Sequence, residues 1–96
     1  MTGVELAAAA VEDLDKLIVT HSLPLDTRQR VRRSLVPLTE FPRLGPELAG
    51  RWTGMRFILG PWRWMLLVYR FDELRDRVVV VTIQDSRSSN AATSTR

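Results

Sequence analysis

Ninety-six residues, 45% of them hydrophobic, suffice for one domain whose core needs neither metal nor disulfide to stand. The absence of cysteine excludes a disulfide framework and a thiolate metal site, and the single His21 could hold a metal only with carboxylate help. The net charge of +3 hides a lopsided chain: residues 1–26 carry five acids and one base, residues 27–70 nine arginines against Glu40 and Glu47, and residues 71–96 four of each sign.

Every basic residue except Lys16 is an arginine. That suits two-pronged contacts to phosphate or carboxylate, although the base composition of a genome produces the same bias. The opening MTGVELAAAAVEDLDKL lacks the basic head and long apolar stretch of a signal peptide, and no run nears the roughly 18 residues of a membrane helix. The expectation is a cytoplasmic protein without membrane contact.

Residues 4–7, VELA, read either as a short strand or as the start of a helix entered through a Thr2–Glu5 capping box, and the alanines alone favour helix. Residues 8–18 form a helix, with Val11, Leu14 and Ile18 on one stripe and Glu12, Asp13 and Asp15 turned largely the other way. Those acids lack the spacing of a metal-binding loop. Leu23-Pro24 ends the pattern, and His21 beside Ser22 falls in the turn as a loop histidine with no serine and acid placed for a triad. Asp26 with Gln29 resembles a second capping box, and Val31, Leu35 and Leu38 supply the stripe of a second helix. Pro37 should kink that helix and Phe41-Pro42 should close it. Its run RQRVRR reads either as a nucleic-acid patch, through Arg28, Arg32 and Arg33, or as an ordinary polar helix face.

Residues 41–54, FPRLGPELAGRWTG, are dense in glycine and proline and read as a surface loop. Residues 55–59, 62–71 and 77–84 are rich in β-branched and aromatic side chains and are separated by Gly60-Pro61 and by DELRD, which describes a three-stranded meander. The tail SSNAATSTR has too little apolar content to order itself. A single domain over residues 1–87 with a flexible tail at 88–96 follows.

Within the meander, GPWRWMLLVYRF is apolar on both faces. A hairpin centred on Gly60-Pro61 sets Leu59 against Trp62, Ile58 against Arg63, Phe57 against Trp64 and Arg56 against Met65, and a wider loop of even length keeps the same faces. Phe57, Leu59, Trp62, Trp64, Leu66 and Val68 are then expected to meet the helices. Arg56, Ile58, Arg63, Met65, Leu67 and Tyr69 are left on a second face for a partner. The two arginines there suit phosphate, or else snorkel or pair with Glu47 or Asp85. Trp52, Trp62 and Trp64 read first as core and second as base-stacking surfaces.

In their order and spacing, VEDLDKL, FPRLGPELAG, MRFILGPWRWMLLVYRFDE and RVVVVTIQDSR resemble the RelE/ParE superfamily of toxins from bacterial type II toxin–antitoxin systems, over residues 4–87. The family's loop after its second helix often has a similar NPRLGKPL pattern, and WRWMLLVYRFD is similar to its YRVIYRVD-like strand. The resemblance implies a strand at residues 4–7 and an α+β fold of order β-α-α-β-β-β, with two N-terminal helices packed on one face of a small, mainly antiparallel sheet. It implies a toxin silenced by a cognate antitoxin, docked on Ile58, Met65, Leu67 and Tyr69 and on the basic second helix. The target would be mRNA on the ribosome, cleaved as by the RelE branch, or DNA gyrase, inhibited without catalysis as by the ParE branch. A member that only binds its antitoxin is a third reading.

Residue by residue, the RelE-type basic pair falls on Arg56 and Ile58, the arginine after the hairpin on Arg63, and the arginine after the last strand on Arg87. The family's tyrosine near the carboxyl end has no counterpart in SSNAATSTR. In-line attack of a ribose 2′-hydroxyl builds charge on a pentacoordinate phosphorus, which fixed guanidinium groups stabilise without metal or cofactor. Arg56, Arg63 and Arg87 are the candidates, with Asp85 the candidate base nearest in sequence, and Arg56 and Arg63 would bind the nucleic acid together with the second helix.

Overall fold

The computed structural model describes residues 1–94. Gly3–Leu6 form strand β1, Ala8–Thr20 helix α1 and Thr27–Leu35 helix α2; Arg56–Leu59, Met65–Asp72 and Arg77–Asp85 follow as strands β2, β3 and β4. The ambiguous opening is a strand. It pairs in parallel with the first half of β4, and extended Ala7 donates its N–H to the Val80 carbonyl before α1 begins. The sheet order is β1-β4-β3-β2, with the other two pairings antiparallel. Both helices lie on one face, as the resemblance implied.

Helix α1 sets Ala10 and Leu14 on the sheet, and α2 sets Val31 and Leu35 there beside Leu38. Asp26 does not cap α2. Its carboxylate accepts instead from Arg30 Nε at 3.0 and 3.1 Å, while buried Thr27 donates its hydroxyl to the Pro24 carbonyl at 2.6 Å. Nor does Pro37 kink the helix: α2 stops at Leu35, and Pro37 enters a separate 3-10 helix, Val36–Thr39, in whose first turn a missing N–H leaves no hydrogen bond unmade. Asp13, read from the sequence as part of the solvated side of α1, turns inward. It accepts from Thr82 Oγ1 at 2.6 Å and from the Ile83 N–H at 3.2 Å, just past the point where the β3–β4 register slips by one residue.

Within the strands, the two faces of the meander are the reverse of the expectation. Strand pairing runs Arg56 to Tyr69, Phe57 to Val68, Ile58 to Leu67 and Leu59 to Leu66. The connection is wider than a Gly60-Pro61 turn, by an even number of residues, so the alternation survives while Trp62, Arg63 and Trp64 leave the strand. The helix-facing side is the one carrying Met65, Leu67 and Tyr69, joined by Val78, Val80 and Ile83 of β4 and by partly buried Ile58; Trp62 and Trp64 pack on this side from the loop, as expected, whereas Phe57, Leu66 and Val68 do not. Met65, Leu67 and Tyr69 are 0% exposed. They belong to the core, and an antitoxin cannot reach them in the folded chain, while Ile58 packs against them partly buried.

The opposite face, with Leu66, Val68, Phe57 and Val81, is covered by the chain itself, through Leu48, Trp52 and Met55 from the long loop and Ala91 and Ala92 from the tail. The tail expected to lack order packs on this face through Ala91 and Ala92. The Ala92 N–H donates to Gln84 Oε1 at 2.7 Å and the Ala91 N–H to the Ser88 carbonyl, so two methyl groups anchored by backbone hydrogen bonds suffice to seat it. Thr95 and Arg96, the end of the expected flexible tail, lie outside the described residues.

Candidate functional site

Met65 opens β3 opposite Asp85 near the end of β4, so the β2–β3 loop and the segment after β4 meet at one end of the sheet. The Ser86 N–H closes that junction by donating to the Trp64 carbonyl at 2.6 Å. Helix α1 runs along β4 and delivers the α1–α2 turn to the same end. There the His21 ring stacks on Trp64, with centroids 4.6 Å apart and planes 14° from parallel, and Trp62 lies 6.1 Å from Trp64 at 13°. His21 Nε2 is 3.0 Å from Asp85 Oδ2 and Nδ1 is 2.8 Å from Thr20 Oγ1.

Arg87 completes the group. Its guanidinium donates from Nε to Asp85 Oδ1 at 2.9 Å and from Nη2 to Oδ2 at 2.8 Å, and lies 5.3 Å from the Trp64 ring centroid. Arg30 of α2 sits 5.9 Å from the Trp62 centroid, so the aromatic stack is flanked by two cations. Arg63 is exposed on the loop between the tryptophans. Of the five N–H donors of Arg87, its pairing with Asp85 uses two, which leaves three for an incoming anion.

Asp85, named from the sequence as the nearest candidate base, has both carboxylate oxygens engaged by Arg87. The Arg87 guanidinium, then the Arg87 backbone N–H and His21, hold its carboxyl well below the usual carboxylate range, in spite of partial burial that pushes the other way. A carboxylate so reluctant to take a proton orients its neighbours instead. Asp85 in turn raises Arg87 above its ordinary value.

The remaining expected residues do not join this group. Arg56 starts β2 at the far end, about 10 Å along the strand from Leu59. It donates from Nη1 to the Gly45 carbonyl at 2.7 Å and to the Arg43 carbonyl at 3.3 Å, and from Nη2 to Glu47 Oε1 at 3.1 Å. The Gly45 N–H donates to Tyr69 Oη at 3.0 Å, and burial pushes that phenol up. Arg56 is therefore a staple for the loop, not a partner of Arg63 and Arg87. On α2, Arg28 pairs with Asp15 at 2.6 Å and Arg30 with Asp26, while Arg32 and Arg33 are exposed in the last turn, where the helix dipole favours them. Among the described residues no three His, Cys, Asp or Glu side chains gather to hold a metal ion, and no helix is long and apolar enough to cross a membrane.

No protein-family model and no curated sequence matches the chain. Solved structures do. A chain of the toxin–antitoxin complex RelBE2 from Mycobacterium tuberculosis superposes with a TM-score of 0.59 at 23% identity, over 88% of this chain and 96% of that one. The isolated RelE toxin of E. coli gives a TM-score of 0.66 at 18% identity, over 94% of this chain and 89% of that one. A chain of the chromosomal ParDE system from P. aeruginosa gives 0.66 at 14% identity, over 88% and 96%. The chain has the fold of these proteins.

Proposed function

We propose that this chain is the toxin of a type II toxin–antitoxin pair, that it inhibits translation as a ribosome-dependent, metal-independent ribonuclease, and that a cognate antitoxin silences it. The observation that carries this reading is Arg87, held over Trp64 with donors to spare and with exposed Arg63 on the adjoining loop, at one end of a sheet shared with the RelE toxin. As the 2′-oxygen attacks phosphorus, charge accumulates on the non-bridging oxygens. A guanidinium already fixed by Asp85 stabilises it without reorganising at the moment of reaction. Exposed Arg32 and Arg33 add long-range attraction to a polyanion.

The test is purified protein added to ribosomes programmed with a defined message, with cuts mapped by primer extension. Arg87→Ala and Arg63→Ala are each expected to slow cleavage by about 10²–10³-fold, the scale of one lost oxyanion donor. Cleavage by both at the parental rate sinks the reading. Gyrase inhibition stands second. It is favoured by the engagement of Arg56 in the loop, which leaves two arginines where the resemblance implied three, and by the likeness to a ParDE chain. Inhibited supercoiling by purified gyrase, with messages left intact, would establish it.

A further inference from the structure

We propose that His21 is the general base of this cleavage, taking the proton of the ribose 2′-hydroxyl on Nδ1 while Asp85 holds the opposite ring nitrogen. The inference rests on the ribonuclease reading and supplies the group that reading lacks.

Geometry assigns the tautomer. Asp85 is committed to Arg87 as a carboxylate and can only accept, so the ring nitrogen 3.0 Å from Oδ2, Nε2, carries the hydrogen. An imidazole with its one hydrogen there presents the lone pair at Nδ1. In the resting protein the Thr20 hydroxyl occupies that position at 2.8 Å, and it is an exposed group on a rotatable bond that a substrate hydroxyl can replace. The imidazole side chain retains 27% of its exposure, enough for access from one edge while Trp64 covers a face. Asp85 and the indole thus fix the ring from two directions, as a base must be fixed to act on one particular proton.

The same oxygen, Asp85 Oδ2, receives both His21 Nε2 and Arg87 Nη2. Proton acceptor and phosphate-binding cation are therefore neighbours around one carboxylate, matching the adjacency of a 2′-hydroxyl and its phosphodiester. In the step, Nδ1 takes the 2′-hydroxyl proton and the 2′-oxygen bonds to phosphorus. The P–O5′ bond breaks with its electron pair going to O5′, which is protonated by water; the imidazolium then returns its proton to solvent. The products are a 2′,3′-cyclic phosphate and a 5′-hydroxyl end.

The experiment measures single-turnover cleavage on programmed ribosomes for the parent, His21→Gln and His21→Ala, the last with and without added imidazole. Glutamine still donates to Asp85 but is no base. We expect it to lower the rate about 10²–10⁴-fold at unchanged ribosome affinity and unchanged unfolding midpoint, and imidazole to restore His21→Ala in proportion to its concentration. Cleavage by His21→Gln within about threefold of the parent, or no rescue by imidazole, overturns the assignment. If Arg63→Ala and Arg87→Ala lose cleavage while His21→Gln keeps it, the ribonuclease reading survives and the base does not. A parent that cuts no message takes both down.

Discussion

Replacing Arg56 by alanine should damage the fold and spare the chemistry. Its side chain is 22% exposed, and the guanidinium donates to the carbonyl of buried Gly45 at 2.7 Å and closes the loop onto β2. A hydrogen bond from a charged donor contributes about 1.5–3 kcal/mol net, and its loss strands a carbonyl that has little access to water. The ion pair with exposed Glu47 adds at most about 1 kcal/mol and the 3.3 Å contact to Arg43 less. The total is about 2–3 kcal/mol, which in a domain of this size lowers the melting temperature by roughly 10–20 °C. Urea unfolding followed by tryptophan fluorescence measures the loss, and cleavage assayed at low temperature, where both proteins are folded, should be within a few fold of the parent. Arg56→Lys should recover part of the stability, since an ammonium lacks the fork that serves Gly45 and Glu47 together. An Arg56→Ala protein as stable as the parent but about 100-fold slower in cleavage would refute this reasoning and return Arg56 to the phosphate.

Gly45→Ala places a Cβ 2.0 Å from the Phe57 carbonyl oxygen, a backbone atom, and should cost about 3 kcal/mol or more. Gly50→Ala meets nothing within 4 Å and should cost only the roughly 1–2 kcal/mol of its φ of +64°; equal unfolding midpoints for the two would defeat the argument. Because Asp85 is depressed in the folded protein, its contribution is complete above its unfolded value near about pH 4 and fades as pH falls through the lower folded value. Asp85→Asn should therefore flatten the acid limb of a stability-against-pH curve, and parallel curves would contradict the pairing. Ala92→Asp sets a charge among Leu66, Val68 and Trp52 and should destabilise by about 2 kcal/mol, whereas a frayed tail would tolerate it unchanged in the same urea titration.

The order of elements was legible because blocks of β-branched residues and helical stripes survive any tertiary context. Alternation along β2 and β3 was legible too, since widening the turn by an even number preserves parity. Which face met the helices was not. Trp62 and Trp64 do pack on the helix side, but from a loop, so they share no strand face with Phe57 and Leu66, and only the register between Leu59 and Leu66 reveals that loop's length. The engagement of Arg56 was legible in part: its pair with Glu47 was one of the readings open from the sequence, but its closest acceptor is the Gly45 carbonyl, and carbonyls leave no mark in composition. His21 was set aside as a loop residue because its partners Trp64 and Asp85 are far along the chain, brought near by the packing of α1 on β4. The tail misled through chemistry of small size. Alanine carries too little hydrophobicity to predict burial, yet Ala91 and Ala92 fit a shallow site once the Gln84 amide holds the turn.

The parallel pairing of the first strand with the last has a temporal side. Residues 3–6 wait for residues 77–80, and His21 waits for Asp85, so neither the sheet edge nor the polar cluster can form until those later residues have left the ribosome's exit tunnel. At about 5–20 residues per second, synthesis of the stretch from β1 to β4 occupies on the order of 4–15 s, during which long-range closure is withheld. A chain threaded this way holds its His21–Asp85 cluster incomplete until its last strand has been made.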